Sequence, residues 1–353
     1  MKAARALMVA AAAALALPGA ASAQLQLTPQ AAEPAKPAAK PAAPAKKPAP
    51  KSEAAPKPAA PVAGAPQATP AGADLAYGAY QRGYFLTAFL EATKRVDKDG
   101  DRRAMTLLGE LYAQGLGVPS SDKKAIEWYR LAAERGDRDA MFALAMFNIG
   151  GRGGLNDRNE AARLLAQAAK LGHAAAAYDL ALLYLEGQQF PQDIPRAAEL
   201  FRTSAQAGNP EAQYALATLY KEGKGVPKDE REAAKLLGAA ALAENTDAEV
   251  EYGIALFNGT GVAKNEVTAA KYISRAAFRG SPIAQNRLAR MYMTGRGVAA
   301  NPVAAIKWHT IAKANGAGDP QLDDFAGKQS PENRTAGENA AKPWLQVIIN
   351  SRS

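Results

Sequence analysis

The sequence predicts an all-α fold: a right-handed α-solenoid of six 36-residue helix-turn-helix repeats with N- and C-terminal caps. Three columns of residues predict it. Alanine stands at 104, 140, 176, 212, 248 and 284, and glycine stands eleven positions later at 115, 151, 187, 223, 259 and 295. Seventeen positions after each alanine comes a residue type that caps helix N-termini: Ser121, Asp157, Asp193, Asp229, Asn265 and Asn301. Self-similarity at a fixed period is the mark of a stacked array, because one helical hairpin cannot bury its apolar face alone.

In chain order, the first segment reads as a secretory signal spanning residues 1–23. Lys2 and Arg5 precede an apolar run from Ala6 to Leu17, the Pro18-Gly19 breaker, and the small residues Ala21-Ser22-Ala23. That pattern predicts cleavage after Ala23 and a periplasmic or secreted protein. The run is shorter than the roughly 20 residues a membrane span needs, so the chain is expected not to be transmembrane after cleavage.

Residues 24–73 hold 12 Pro and 18 Ala and lack aromatic residues. Closely spaced prolines remove backbone donors and forbid helix, and the apolar side chains are too small to form a core. The segment reads as a disordered, semi-extended linker. Its six lysines, facing two glutamates, suggest a weak, salt-sensitive contact with an anionic envelope surface, against the plainer role of spacer. Of the formal charge of +9, the signal carries +2 and this arm +4, leaving +3 for residues 74–353. The predicted folded part is nearly balanced, so nucleic acid is not expected as a partner.

Residues 74–100 read as a degenerate N-terminal repeat or cap, through Tyr77, Tyr80, Gly83, Tyr84, Ala88, Ala92 and Gly100. The repeats follow at 101–136, 137–172, 173–208, 209–244, 245–280 and 281–316. In the first, Ala104, Leu107, Leu108, Leu111 and Tyr112 share one helical face. Gly115-Leu116-Gly117 ends that helix, since glycine accepts the left-handed backbone of a helix stop. Ser121 then opens a second helix carrying Ala125, Trp128, Tyr129, Ala132 and Ala133, and Gly136 closes it. Asp229 with Glu232 has the spacing of a capping box. Where the fourth repeat has Glu244 in place of the closing glycine, Asn245 is expected to take the left-handed position. Residues 317–353 form the C-terminal cap and tail: Ser330-Pro331-Glu332 is a helix start leading to Trp344, Leu345, Val347, Ile348 and Ile349. This tail either covers the last repeat or serves as a partner motif.

The line Ala104…Leu108-Gly109…Tyr112…Gly115-Leu116-Gly117-Val118…Ala125…Trp128-Tyr129…Ala132-Ala133…Gly136 resembles the Sel-one-like repeat (SLR), of the tetratricopeptide-related superfamily, over about residues 77–316. Gly223-Lys224-Gly225-Val226, Gly259-Thr260-Gly261-Val262 and Gly295-Arg296-Gly297-Val298 match the same loop; Gly187-Gln188-Gln189-Phe190 and Gly150 to Gly154 depart from it. The resemblance implies a protein–protein scaffold or adaptor. Exported bacterial relatives bind receptor ectodomains or work with cell-wall enzymes, so another envelope protein is the partner it implies.

Chemistry finds little footing. The absence of cysteine rules out disulfides, thiolate metal sites and a cysteine nucleophile. The two histidines, His173 and His309, lie several repeats apart. Asp97 to Asp101 starts like a calcium loop, but Arg102 stands where glycine is required and Leu108 where glutamate is. No catalytic residue, cofactor or metal is therefore expected, and the protein is predicted not to be an enzyme. If the first helices line the concave face, the residues free to specify a partner there are those that vary between repeats. These are Glu110, Asp179, Glu186, Glu222, Glu251, Arg287 and Arg290: acidic through the middle, basic near the sixth repeat. The alternative to an adaptor is a structural envelope or cell-wall-associated protein held by its basic, proline-rich arm.

Overall fold

Capping side chains set the helix boundaries throughout. A computed structural model describes residues 74–187 and 190–352, and the predicted signal and linker lie outside the described residues. Helices α1 (Leu75–Gln81) and α2 (Phe85–Asp99) form the N-terminal unit. Six pairs follow: α3 (Arg102–Gln114) with α4 (Asp122–Glu134), α5 (Arg138–Ile149) with α6 (Arg158–Lys170), and α7 (Ala174–Glu186) with α8 (Ile194–Gln206). Then come α9 (Pro210–Glu222) with α10 (Glu230–Leu242), α11 (Thr246–Asn258) with α12 (Glu266–Phe278), and α13 (Pro282–Thr294) with α14 (Pro302–Ala314). Helices α15 (Pro320–Gly327) and α16 (Pro331–Arg352) close the chain, and no strand occurs among the described residues.

All six predicted caps accept a backbone N–H at the start of the second helices. The first helices carry a second cap series of their own: Asp101, Asp137, His173, Asn209, Asn245 and Ser281. Each such cap stabilises its helix by about 1 kcal/mol relative to alanine. This series corrects the reading of the fourth repeat. Glu244, not Asn245, takes the left-handed backbone (φ 66°), because Asn245 is needed as the cap of α11. Arg279 holds Glu244 there, reaching its carboxylate at 3.0 Å and its carbonyl at 3.2 Å. Asp229 accepts from the Arg231 and Glu232 amides, but the Glu232 carboxylate turns to Lys235, so the capping box is only half made.

Consecutive helices pack on one another along the series, the arrangement of a solenoid. The alanine column is buried at every repeat, beneath Leu108, Leu144, Leu180, Leu216 and Leu288. The loop glycines explain how repeats stack. Except in the second repeat, where Gly150 ends α5 at φ −84°, the first of each pair stops its helix in the left-handed region; the second, at 117, 153, 225, 261 and 297, lies against the start of the preceding second helix. A Cβ on Gly261 would fall 1.9 Å from the Glu230 carbonyl oxygen, and one on Gly297 would fall 2.2 Å from that of Glu266. In the second repeat this role belongs to Gly153, inside a short 3-10 turn at Arg152–Gly154. The register therefore survives the extra glycines. Residues 188–189 of the third loop lie outside the described residues.

At the C-terminus α16 bypasses α15 to lie on α14. Gly337 permits the approach, since a Cβ there would sit 2.6 Å from Ile306, and Ala341 is fully buried. Trp344 completes a triad with Phe278 and Trp308, with ring centroids 5.0–5.5 Å apart. Beyond it Val347 and Ile349 are exposed. The tail covers the last repeat as far as Trp344, and its final turns leave apolar side chains uncovered.

Candidate partner-binding surface

The first helices present their varying residues at the surface, and the structure assigns several of these to internal work. Glu110 on α3 is half-buried and accepts a hydrogen bond from the Tyr129 hydroxyl of α4 at 2.8 Å, and another from Gln114. Burial, reinforced by the Glu110 charge, pushes the Tyr129 phenol far above its ordinary value. Asp179 and Glu186 on α7 are half-buried, whereas Glu222 at the end of α9 is exposed and paired with Lys224 at 2.8 Å.

Near the sixth repeat the charges interlock. Glu251 on α11 meets Lys221 of the preceding repeat at 2.5 Å. Tyr214 lies close enough that burial, with Glu251 and Asp247 adding to it, pushes its phenol up to about 12. Arg290 on α13 is held internally: its Nε donates to Asp319 at 2.6 Å and its Nη1 to Gln321 at 3.0 Å. Asp319 also caps α15. Burial works against ionisation of Asp319, but hydrogen bonds from Asn286 and Arg290 and the Arg290 charge outweigh it and hold the carboxyl below the usual aspartate range. Arg290 thus docks α15 on α13. Arg287, one turn earlier, makes no hydrogen bond or ion pair among the described residues, and its Nε is buried. The structure brings Glu251, Arg287 and Arg290 into one electrostatic cluster; Glu110, Asp179, Glu186 and Glu222 stand on other repeats.

Three structural roles escaped the sequence reading. Glu249 is wholly buried, its Oε1 2.9 Å from both Arg275 and Arg279. His173 is the cap of α7: its Nδ1 accepts from the Ala176 amide at 3.0 Å, and its ring stacks on Phe142 at 4.4 Å. His309 is buried on α14 with Nε2 2.8 Å from Asp323 of α15. The signal for His173 was available, since it falls in the column of Asp101, Asp137, Asn209, Asn245 and Ser281. Glu249 and His309 gave no such signal, because their partners stand on other helices.

Among the described residues, no group of three or more His, Cys, Asp or Glu side chains could hold a metal ion. Nor is any helix among them long and apolar enough to cross a membrane.

The Sel1 repeat family profile matches six times, at residues 102–137, 138–173, 174–209, 210–245, 246–281 and 282–316. Among solved structures, the chain is similar to a Sel1 repeat protein from Oxalobacter formigenes: 26% identity and a TM-score of 0.58 over 68% of this chain and 97% of that one. It is also similar to c5321, a protective antigen of uropathogenic Escherichia coli strains with an SLR fold. That match has 26% identity and a TM-score of 0.53 over 77% of this chain and 67% of that one. No curated protein matches. Proteins built on this repeat are generally interaction scaffolds that bind protein partners and are typically non-catalytic.

Proposed function

The chain belongs to the Sel1 repeat family, and from that premise we propose that it is a non-enzymatic scaffold or adaptor of the bacterial cell envelope. It binds another envelope protein across the face carried by its first helices. One observation carries this reading. The alanine and loop-glycine columns are consumed by stacking, while among the varying first-helix residues Glu222 is exposed and Asp179 and Glu186 are half-buried. An array that buries its constant residues against itself leaves the varying ones to specify a ligand. The envelope setting rests on the signal-like N-terminus.

Affinity capture tests it. The mature chain, immobilised and exposed to envelope extract of its source organism, should retain a specific protein. Reversing charge at Glu186 and Glu222, neither of which anchors the fold, should reduce that recovery several-fold. Undiminished recovery would move the binding surface elsewhere, and recovery of nothing specific would remove the scaffold reading.

A further inference from the structure

Two columns of the second helices change chemistry half-way along the chain. Their members are seven residues apart, about two helical turns, so both stand on one stripe of each helix. In the first three repeats the columns hold Glu127 and Glu134, Arg163 and Lys170, and Glu199 and Gln206, all polar and all exposed. In the next two they hold Lys235 with Leu242 and Lys271 with Phe278, and in the sixth Lys307 with Ala314. Leu242 is 72% and Phe278 58% exposed. Stacking does not require apolar residues there, since the earlier repeats stack with polar ones in the same place.

Helix α16 extends both rows. Its half-buried Trp344 ring lies 5.5 Å from that of Phe278, and Val347, one turn on, is 67% exposed. Lys307 brings the lysine row alongside, with Nζ 5.6 Å from the Trp344 ring centre. The acids of this region are already engaged: Glu232 pairs with Lys235, Glu244 with Arg279, and Glu266 with Lys264 and Arg296, while Glu249 is buried. Past Glu266, α12 and α14 carry Lys271, Arg275, Lys307 and Lys313 and no acidic residue.

We propose that this stripe, Leu242, Phe278, Trp344 and Val347 beside Lys271 and Lys307, docks the protein on an anionic phospholipid membrane. Apolar side chains entering the headgroup boundary beside lysines hold a helix on a bilayer without crossing it, and aromatic rings settle at that depth. Charge selects the occupant, because the cations here outnumber free acids and headgroups supply the opposite sign. So does shape. Side chains this exposed protrude, which suits insertion into a fluid layer better than capture in a partner's pocket. The inference does not rest on the first-helix face, which stays open to a protein.

Vesicle sedimentation of the mature chain tests it, at low and high salt. Vesicles of phosphatidylglycerol with phosphatidylethanolamine should bind, and phosphatidylcholine vesicles should not. Lys271→Glu should weaken binding about fivefold, and adding Lys307→Glu about twentyfold in all. The single variant keeps the test valid if the second disturbs the Trp344 stack. Arg163→Glu with Lys170→Glu makes the same charge change on the same columns of the second repeat and should leave binding unchanged. Equal losses for the two pairs would assign binding to net charge or to the lysines of residues 24–73 and overturn the proposal. Leu242→Ser with Val347→Ser should abolish the binding that survives high salt, because insertion, unlike charge, is not screened; no change in that fraction would overturn it too. So would failure to bind anionic vesicles. If Lys271→Glu loses a captured envelope protein while vesicle binding stands, the stripe is a protein dock and the membrane reading falls.

Discussion

Replacing Gly261 by alanine isolates the contact that joins one repeat to the next. The residue has φ 68°, and an added Cβ would lie 1.9 Å from the Glu230 carbonyl oxygen and 2.4 Å from its carbon. These are backbone atoms at the first turn of α10, so no side chain can swing aside. Two penalties add: about 1–2 kcal/mol for an L-residue in the left-handed region, and about 1–3 kcal/mol for forcing packed backbones apart. Gly280 supplies the control, because its φ is 94° with nothing within 4 Å of a built Cβ. Gly280→Ala should therefore show the conformational penalty alone, and Gly261→Ala about 1–3 kcal/mol more. Urea unfolding followed by circular dichroism measures both. Because stability in a solenoid passes from neighbour to neighbour, Gly261→Ala should also lower the cooperativity, separating the repeats before the fourth-to-fifth boundary from those after it. Equal midpoint shifts for the two variants would refute the argument and reduce the second loop glycine to a matter of φ.

Other sites yield expectations of the same kind. Glu249→Ala should cost about 2 kcal/mol, below the range for breaking a fully buried pair, because Arg275 and Arg279, 47% and 32% exposed, can return to water. Glu249→Gln should stay within about 1 kcal/mol of wild type, since Gln213 and Gln285 fill the same register and donate to the equivalent carbonyls of Ala205 and Ala277; thermal melts of both variants decide. Burial lowers the His173 pKa, with Asp139 opposing and Arg138 assisting, so its neutral form is the folded one. Its contribution is complete above the unfolded histidine value of about 6.5 and is lost as pH falls below it; melting temperature against pH should show this loss in wild type and not in His173→Asn, which keeps a cap. Trp344→Ala should cost about 1–2 kcal/mol, less than a fully buried tryptophan, and should release amide-exchange protection along α16, whereas exposed Val347→Ala should leave both unchanged.

The repeat architecture was legible because its determinants are local and repeated six times. Ser121, Asp157, Asp193, Asp229, Asn265 and Asn301 each act on the amides of their own first turn, so spacing alone reveals them. Helix α15 escaped notice although Asp319-Pro320 is an ordinary start signal, because it falls outside the 36-residue register. Glu244 was misread because two demands meet at adjacent residues, a left-handed stop and a cap, and Asn245 can meet only one of them. Of the surface residues, Arg290 could not be told from Arg287 in sequence. They lie one turn apart on one helix, and what separates them is Asp319, which only the folding back of α15 supplies.

The position following each alanine of the repeat carries this furthest. It holds Met105, Met141, Ala177, Gln213, Glu249 and Gln285. Gln213 and Gln285 each donate to a carbonyl of the preceding second helix. A glutamate at the same place cannot donate, and the Ala241 carbonyl is served instead by Arg275, which also pairs with that glutamate. One substitution in a buried column thus requires a matching arginine on the facing helix, and Arg279 extends the set to hold the unusual left-handed Glu244. Departures from the repeat come in such compensated groups when their purpose is structural.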